Sequence, residues 1–283
     1  MKDRTTIGVR NRRLCLVLHR LRALSGLSGL EIAAKLGVSS SLISRAESGK
    51  RGISRDDLSA LLTLYGVDRP ARNALLHLHA DATSPEMLDR GDLDFRDDLA
   101  TWSGLDQDAT VMHLYEALIV PGLLQTFPYA RAAIIAADLG LSEEEVEERV
   151  NADIARQSLL RGPSAPHLDI ILHEAALHQR VGGAPVMRDQ LGYLLEASFR
   201  ARIEIRIVPA EAGEHAGMGG PFVILDYAEL PSLVRLRNKV GTLYLEDQTD
   251  VAAYQRAFDS VRAIALAPDR SADLISKIAS NMT

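Results

Sequence analysis

Residues 28–55 read Ser-Gly-Leu-Glu-Ile-Ala-Ala-Lys-Leu-Gly-Val-Ser-Ser-Ser-Leu-Ile-Ser-Arg-Ala-Glu-Ser-Gly-Lys-Arg-Gly-Ile-Ser-Arg. Ser28 stands three residues before Glu31, so the hydroxyl can accept from the backbone near Glu31 while the carboxylate reaches back, a capping box that starts a helix. Ile32, Ala33 and Leu36 recur at helical spacing, and Gly37 supplies a permissive backbone just past the end. Ser39 can cap a second helix, which runs to about Ser48. In that helix Ile43 and Ala46 share one side, with Leu42 at the margin, while Ser40, Ser41, Ser44 and Arg45 lie towards its N-terminal outward face. Gly49, Lys50 and Arg51 close it with a turn and two cations. Two short helices around a tight Gly-Val-Ser turn form the geometry that seats a helix in the major groove of DNA.

These residues resemble the phage Cro and repressor family of helix-turn-helix proteins (the XRE family) over roughly residues 16–66, and the resemblance implies a whole five-helix domain. By position it implies that Ser40, Ser41 and Arg45 read bases with Ser44 beside them. It also implies that Lys50, Arg51 and Arg55 contact the DNA backbone and that Arg22 and Glu47 tie the first helix to the recognition helix. Gly29 stands where the family commonly has a phosphate-holding Gln. Ser28 and Gly29, with Ser39 at the next helix start, therefore offer phosphates a helix N-terminus. Arg45 can be bidentate to guanine, worth about 1–3 kcal/mol of discrimination. One such domain covers a half-site, which predicts a homodimer on a near-palindromic operator in double-stranded DNA with half-sites about 34–36 Å apart, or a multiple.

A small helical bundle that docks a partner protein rather than DNA would show the same Leu/Ala periodicity. Charge argues for DNA: residues 1–80 hold 14 Lys and Arg against 6 Asp and Glu, a net of +8, which leaves −14 for the other 203 residues of a chain whose total is −6. A basic module fused to an acidic body is what phosphate binding needs.

The 283 residues exceed one small domain, and the part outside residues 1–80 is large enough to bury its own core. A single cysteine, Cys15, excludes an intrachain disulfide and reads as a small core residue. Arg12 and Arg13 precede a five-residue apolar run, too short for a signal peptide, and no segment is apolar enough to span a membrane. The expected location is the cytoplasm. Residues 81–108 carry nine acids with Pro85 and Gly91 as breakers. They read as a solvated bridge; the sharper reading is a DNA mimic that covers the basic module. The resulting boundaries are a helix-turn-helix domain over residues 1–80, an acidic connecting segment over 81–106 and a second domain over 107–283.

The second domain opens with an apolar stretch, residues 111–131, broken by Pro121-Gly122. A capping box at Ser142 and Glu145 starts a helix that continues to Leu160, with acids in its first turns and an i,i+4 pair of Glu145 and Arg149. Strand patterns follow at 168–172, 203–208, 222–227, 233–237 and 242–245, flanked by helical segments at 174–180, 185–200, 250–266 and 270–280. The fold class is α+β: an all-α five-helix domain plus an α+β domain with a small, mostly antiparallel sheet.

From about residue 107 to 280 the chain resembles the uncharacterised effector-like domain of a large actinobacterial family of WhiJ-like, antitoxin-like regulators. The matching motifs include Tyr115-Glu116, Pro121-Gly-Leu-Leu-Gln125, Arg156-Gln157, His173-Glu-Ala-Ala-Leu177, Val181-Gly-Gly183, His215-Ala-Gly217 and Leu243–Asp247. The resemblance implies a regulator, a repressor by analogy, often encoded beside a small acidic partner protein. The stretch 233–239, Leu-Val-Arg-Leu-Arg-Asn-Lys, departs from the family's usual Val-Val-Tyr-Val-Glu. Arg131, Arg156, Gln157, Glu174 and His215 are polar residues in the motif set that could line a ligand or partner site, or be paired structurally.

Catalysis is not expected. His173 and His178 are spaced five apart and would point about 140° apart on a helix, unlike the i,i+4 pair that shares a metal. The Gly-rich stretch 213–220 lacks the ending of a phosphate loop and reads as a connection between strands. No serine has a nucleophile-elbow context, and no cofactor or metal motif is found.

Overall fold

The computed structural model describes residues 9–48, 53–80, 86–89, 103–228, 230–238 and 241–282. The chain forms two compact units, residues 1–105 with 240–247, and residues 106–239 with 248–283. Among the described residues no helix is long and apolar enough to cross a membrane.

The first unit contains α1 (Val9–Ser25), α2 (Gly29–Leu36), α3 (Ser40–Ser48), α4 (Arg55–Leu64), α5 (Arg69–Ala80) and β1 (Glu86–Asp89). The expected capping box starts α2: the Glu31 amide donates to Ser28 Oγ at 3.3 Å, and the Ser28 amide donates to Glu31 Oε2 at 2.7 Å. Gly37 ends the helix in the left-handed region at φ 66°, where its N–H returns to the Ala33 carbonyl. Ser54 caps α4 through the Asp57 amide at 3.1 Å. Leu14, Leu18 and Leu21 of α1 recur every three to four residues and are buried with Ile32, Ile43, Leu58, Leu62 and Leu75. On this core α1 packs against α3 and α5, and α4 against α5. Cys15 belongs to the same core, and burial pushes its thiol up to about 11.

Helices α1 to α5 lie between Val9 and Ala80, beyond the 16–66 span of the resemblance, because the leucine spacing of α1 and the buried Leu75 and Leu78 of α5 extend the shared core on both sides. The expected all-α character is corrected: the unit is not wholly helical, since β1 pairs antiparallel with Gly241–Leu245, Glu86 opposite Leu245 and Asp89 opposite Thr242. A lone extended segment leaves its amides and carbonyls unpaired, and this distant stretch supplies the partners.

From the junction helix α6 (Ser103–Gln107), the chain continues through β2 (Val111–Glu116), α7 (Phe127–Ala137), α8 (Glu143–Arg156), β3 (His167–His173), α9 (Ala175–His178), α10 (Ala184–Ser198), β4 (Ile203–Val208), β5 (Phe222–Asp226) and β6 (Leu233–Asn238). The stretch β7 (Gly241–Leu245) is the partner of β1, and α11 (Gln248–Ile264) and α12 (Pro268–Ser280) complete the second unit. Within that unit the strands run in the order β6-β5-β2-β3-β4. The β2–β3 and β3–β4 pairs are parallel, whereas β2–β5 and β5–β6 are antiparallel.

The mostly antiparallel sheet is thus corrected to a mixed one. Parallel neighbours need a connection long enough to return to the starting edge. Helices α7 and α8 provide it between β2 and β3, and α9 and α10 between β3 and β4. Strand β2 lies at the centre of this sheet, inside the stretch whose sequence showed only an apolar run. Met112, Leu114 and Tyr115 are all buried, so it lacks clean alternation. Helix α8 starts at its expected capping box and is continued by a tighter 3-10 turn over Gln157–Leu160. Arg149 acts on the Glu145 carboxylate through its charge, as the i,i+4 spacing implied, and makes its close ion pair with Asp138 at 3.3 Å.

Candidate nucleic-acid interface

The face of α3 that meets the core settles the direction of the other face. Ile43 and Ala46 are buried, and α3 packs against both α1 and α2. Ser40, Ser41 and Ser44 consequently stand exposed, while Arg45 is half-buried at their edge. The helix is held at both ends. Near its start the Ser39 and Ser41 hydroxyls lie 3.0 Å apart. Near its end Arg22 Nε of α1 donates to Glu47 Oε1 at 2.6 Å, the tie that the resemblance implied. That hydrogen bond raises the pKa of Arg22 above its usual value.

The expected phosphate contacts are distributed over three helix starts. The Ser28 hydroxyl and amide are both committed to Glu31, the hydroxyl at 2.7 Å from Oε2. That hydrogen bonding holds the Glu31 carboxylate below its ordinary pKa. Of the phosphate contacts expected at α2, this leaves the backbone at Gly29, whose added Cβ would meet Ile43 at an ordinary 3.9 Å. Ser39 is exposed before α3, and Arg55 is exposed at the first position of α4, just after the capping Ser54. Lys50 and Arg51 lie outside the described residues.

The polar motif residues of the second unit are each engaged in pairing, and they do not converge on one site. Arg131 of α7 bonds Glu147 at 3.0 Å and also Glu143, both on α8. Arg156 donates to the fully buried Asp106 at 2.7 Å, and Gln157 donates to the Gln125 carbonyl at 2.6 Å. Glu174 accepts from the Ala210 amide at 2.8 Å and pairs with His178 at 3.2 Å. His215 accepts from the Gly217 amide at 3.1 Å and stacks on His173 with ring centroids 5.7 Å apart. Glu174 and His215 share a neighbourhood through His173 at the end of β3, and Arg156 and Gln157 are consecutive at the end of α8.

The most connected charges of this unit escaped the sequence reading. His113 of β2 bridges two carboxylates, Asp169 of β3 at 3.3 Å and Asp226 of β5 at 3.1 Å, and packs edge-on against Phe258 of α11. Burial alone would depress this imidazole, but the two hydrogen-bonded carboxylates outweigh it and raise its pKa to about 9. Asp106, assigned from sequence to the acidic connecting segment, is fully buried between Arg156 and Arg235. Burial opposes its ionisation, and the two guanidiniums prevail, so its pKa is lowered. Arg235 lies in the stretch whose charges departed from the family pattern, which was the available signal for an ionic partner.

Residues 13–75 match the sequence model of a helix-turn-helix domain, and residues 99–277 match that of a domain of unknown function (DUF5753). No curated protein and no solved structure matches the chain.

Proposed function

Because this chain belongs to the DUF5753 family and carries a helix-turn-helix domain before that region, we propose that it is a sequence-specific DNA-binding transcription regulator, acting as a repressor through α3. The observation that carries this reading is the division of α3 into a buried Ile43/Ala46 face and an exposed Ser40/Ser41/Ser44 face beside Arg45. Three serines donate or accept at any base, so Arg45 supplies most of the direct discrimination, and the net +8 of residues 1–80 supplies the phosphate attraction. The operator is a near-palindrome in double-stranded DNA bound by a homodimer, as expected for half-site readers.

The second unit receives the signal in this reading, from a small partner protein or a ligand, and the resemblance to antitoxin-like regulators supports that role. The chain acts as a binding protein rather than an enzyme, in the cytoplasm. The test is fluorescence anisotropy on DNA from the protein's own upstream region, comparing wild type with Arg45→Ala over a salt series. Specific binding that falls steeply with salt and loses its preference in the variant supports the reading. Equal, non-specific binding by both proteins overturns base reading by α3.

A further inference from the structure

We infer that the open half of the β4 edge in the second unit binds an extended peptide segment of a partner protein, which adds to the sheet as a further short strand.

Strand β4 is the last strand of the sheet on the β3 side. Its even-numbered residues bond to β3 and the residue after it: the Arg202 carbonyl accepts from the Leu168 amide at 2.8 Å, and the Val208 carbonyl accepts from the Glu174 amide at 2.9 Å. Alternation then turns the amides and carbonyls of Ile203, Ile205 and Ile207 to the outer edge. Both groups of Ile207 are met there, its carbonyl by the Leu266 amide at 2.8 Å and its amide by Ser271 Oγ at 3.0 Å. The Ile203 amide turns back to the Arg200 carbonyl at 3.0 Å. For the Ile203 carbonyl and for both groups of Ile205 the described residues supply no partner. The C-terminal half of the edge is thus covered by the chain itself, and the N-terminal half is left unpaired.

That unpaired half lies in a cleft of about 420 Å³. Ile203, Glu204 and Ile205 line it in succession, together with Phe199 of the turn after α10 and Pro268 and Ala272 of α12. Successive side chains of a strand point to opposite faces. Glu204 meets Arg262 of α11 at 2.9 Å on one face, and Ile203 and Ile205 are buried on the other. A cleft lined by all three runs along the edge between the two faces. Its volume falls in the range of ligand sites, about 300–1,000 Å³.

The charges around the cleft are matched within the chain. Arg262 pairs with Asp169 and Glu204, Arg206 with Glu204, His113 with Asp169, and Arg202 donates to the Ala165 carbonyl. What remains unmet is a row of backbone groups: acceptor at Ile203, donor and acceptor at Ile205. Unpaired backbone groups away from water are costly, and Ile205 is only 2% exposed. An extended segment presents the complement, N–H, C=O and N–H, whichever way it runs. Phe199, 82% exposed at the rim, offers apolar surface to a side chain of the added strand.

The inference deepens the signal-receiving role proposed above and rests on that role for its effect on DNA. The test uses the full chain and an uncharged, end-blocked peptide of alternating Thr and Val, against the same peptide N-methylated at its central residues. Hydrogen exchange read by NMR is expected to show the Ile205 amide exchanging at least tenfold faster than the Ile207 amide in the free protein, and slowing at least tenfold with bound peptide. Calorimetry is expected to give saturable binding, with a tenfold or greater loss on N-methylation. Ala201→Trp, in the exposed turn before β4, places a ring in the cleft without altering the β4 backbone and is expected to abolish binding. An Ile205 amide as slow as that of Ile207 in the free protein, no saturable binding at millimolar peptide, equal binding of the N-methylated peptide, or wild-type affinity in Ala201→Trp overturns the site. A dimer that Ala201→Trp converts to monomer in sedimentation also overturns it, by assigning the edge to a second copy. Anisotropy on operator DNA with and without saturating peptide separates the two readings. Intact DNA binding with no peptide binding overturns the edge site alone, whereas peptide binding that leaves DNA affinity unchanged overturns the signal-receiving role and leaves the site.

Discussion

Arg22 of α1 and Glu47 of α3 meet at 2.6 Å, and the pair locks the recognition helix to the helix that begins the domain. The Glu47 side chain is only 10% exposed, so removing Arg22 strands a carboxylate that water barely reaches. Arg22→Ala is expected to destabilise the first unit by about 1–3 kcal/mol and to weaken DNA binding in step. Urea unfolding of the two single variants and the double variant checks this: the double variant should cost less than the sum of the singles.

Arg45 and Arg55 should fail differently on DNA. Arg45→Ala should relax specificity at one operator position by about 1–3 kcal/mol. Arg55→Ala should weaken all sequences alike and reduce the salt slope by about one. Salt-series anisotropy on operator and scrambled DNA separates the two effects.

His113 gives the second unit a pH-dependent stability. Its folded pKa of about 9 lies above the ordinary histidine value of 6.5, so the folded state holds this proton more tightly than the unfolded state. The stabilisation, on the order of 1–3 kcal/mol, is complete below about pH 6.5 and fades as pH rises through about 9. Asp226 adds the opposite limb. Its hydrogen bond to His113 holds it below the usual carboxylate range, and its contribution is lost as pH falls through that lowered value. Denaturation midpoints of wild type and His113→Asn should differ most near pH 6 and converge above the folded pKa.

Gly217 is held against Tyr115. A Cβ there would lie 2.3 Å from Tyr115 Cζ, and the tyrosine is 1% exposed, so the ring has nowhere to yield. Gly217→Ala should destabilise the second unit by about 1–3 kcal/mol, whereas Gly219→Ala, with no atom within 4 Å of its added Cβ, should be nearly neutral. Thermal unfolding of the two variants gives the comparison directly.

Much of the α3 surface was legible because its signals are local. Ile43 and Ala46 are three residues apart, so one helical turn places them on the same side and sends Ser40, Ser41 and Ser44 outward. The Arg22–Glu47 tie was reached only through the family resemblance, since 25 residues separate the two groups. In the second unit the strand at 203–208 was found by its alternation, but β2 was missed because Tyr115 joins Met112 and Leu114 in burial. The four-residue β1 carries too little pattern to distinguish it from its acidic surroundings.

What the sequence by itself determined were the starts of α2 and α8 and the end of α2, because a capping box or a left-handed glycine acts over three or four residues, within reach of any local reading. Only the tertiary structure decided that β2 and β3 run parallel, that Asp106 is buried between two arginines, and that one oxygen of Asp169 is left without a donor. Asp169 is 56 residues from His113, which is 113 from Asp226. Whether a carboxylate at such a position is solvated, paired or left without a donor depends on which strands lie side by side. That in turn is set by the sum of buried surface and satisfied backbone over the whole sheet, and no single stretch of chain encodes it.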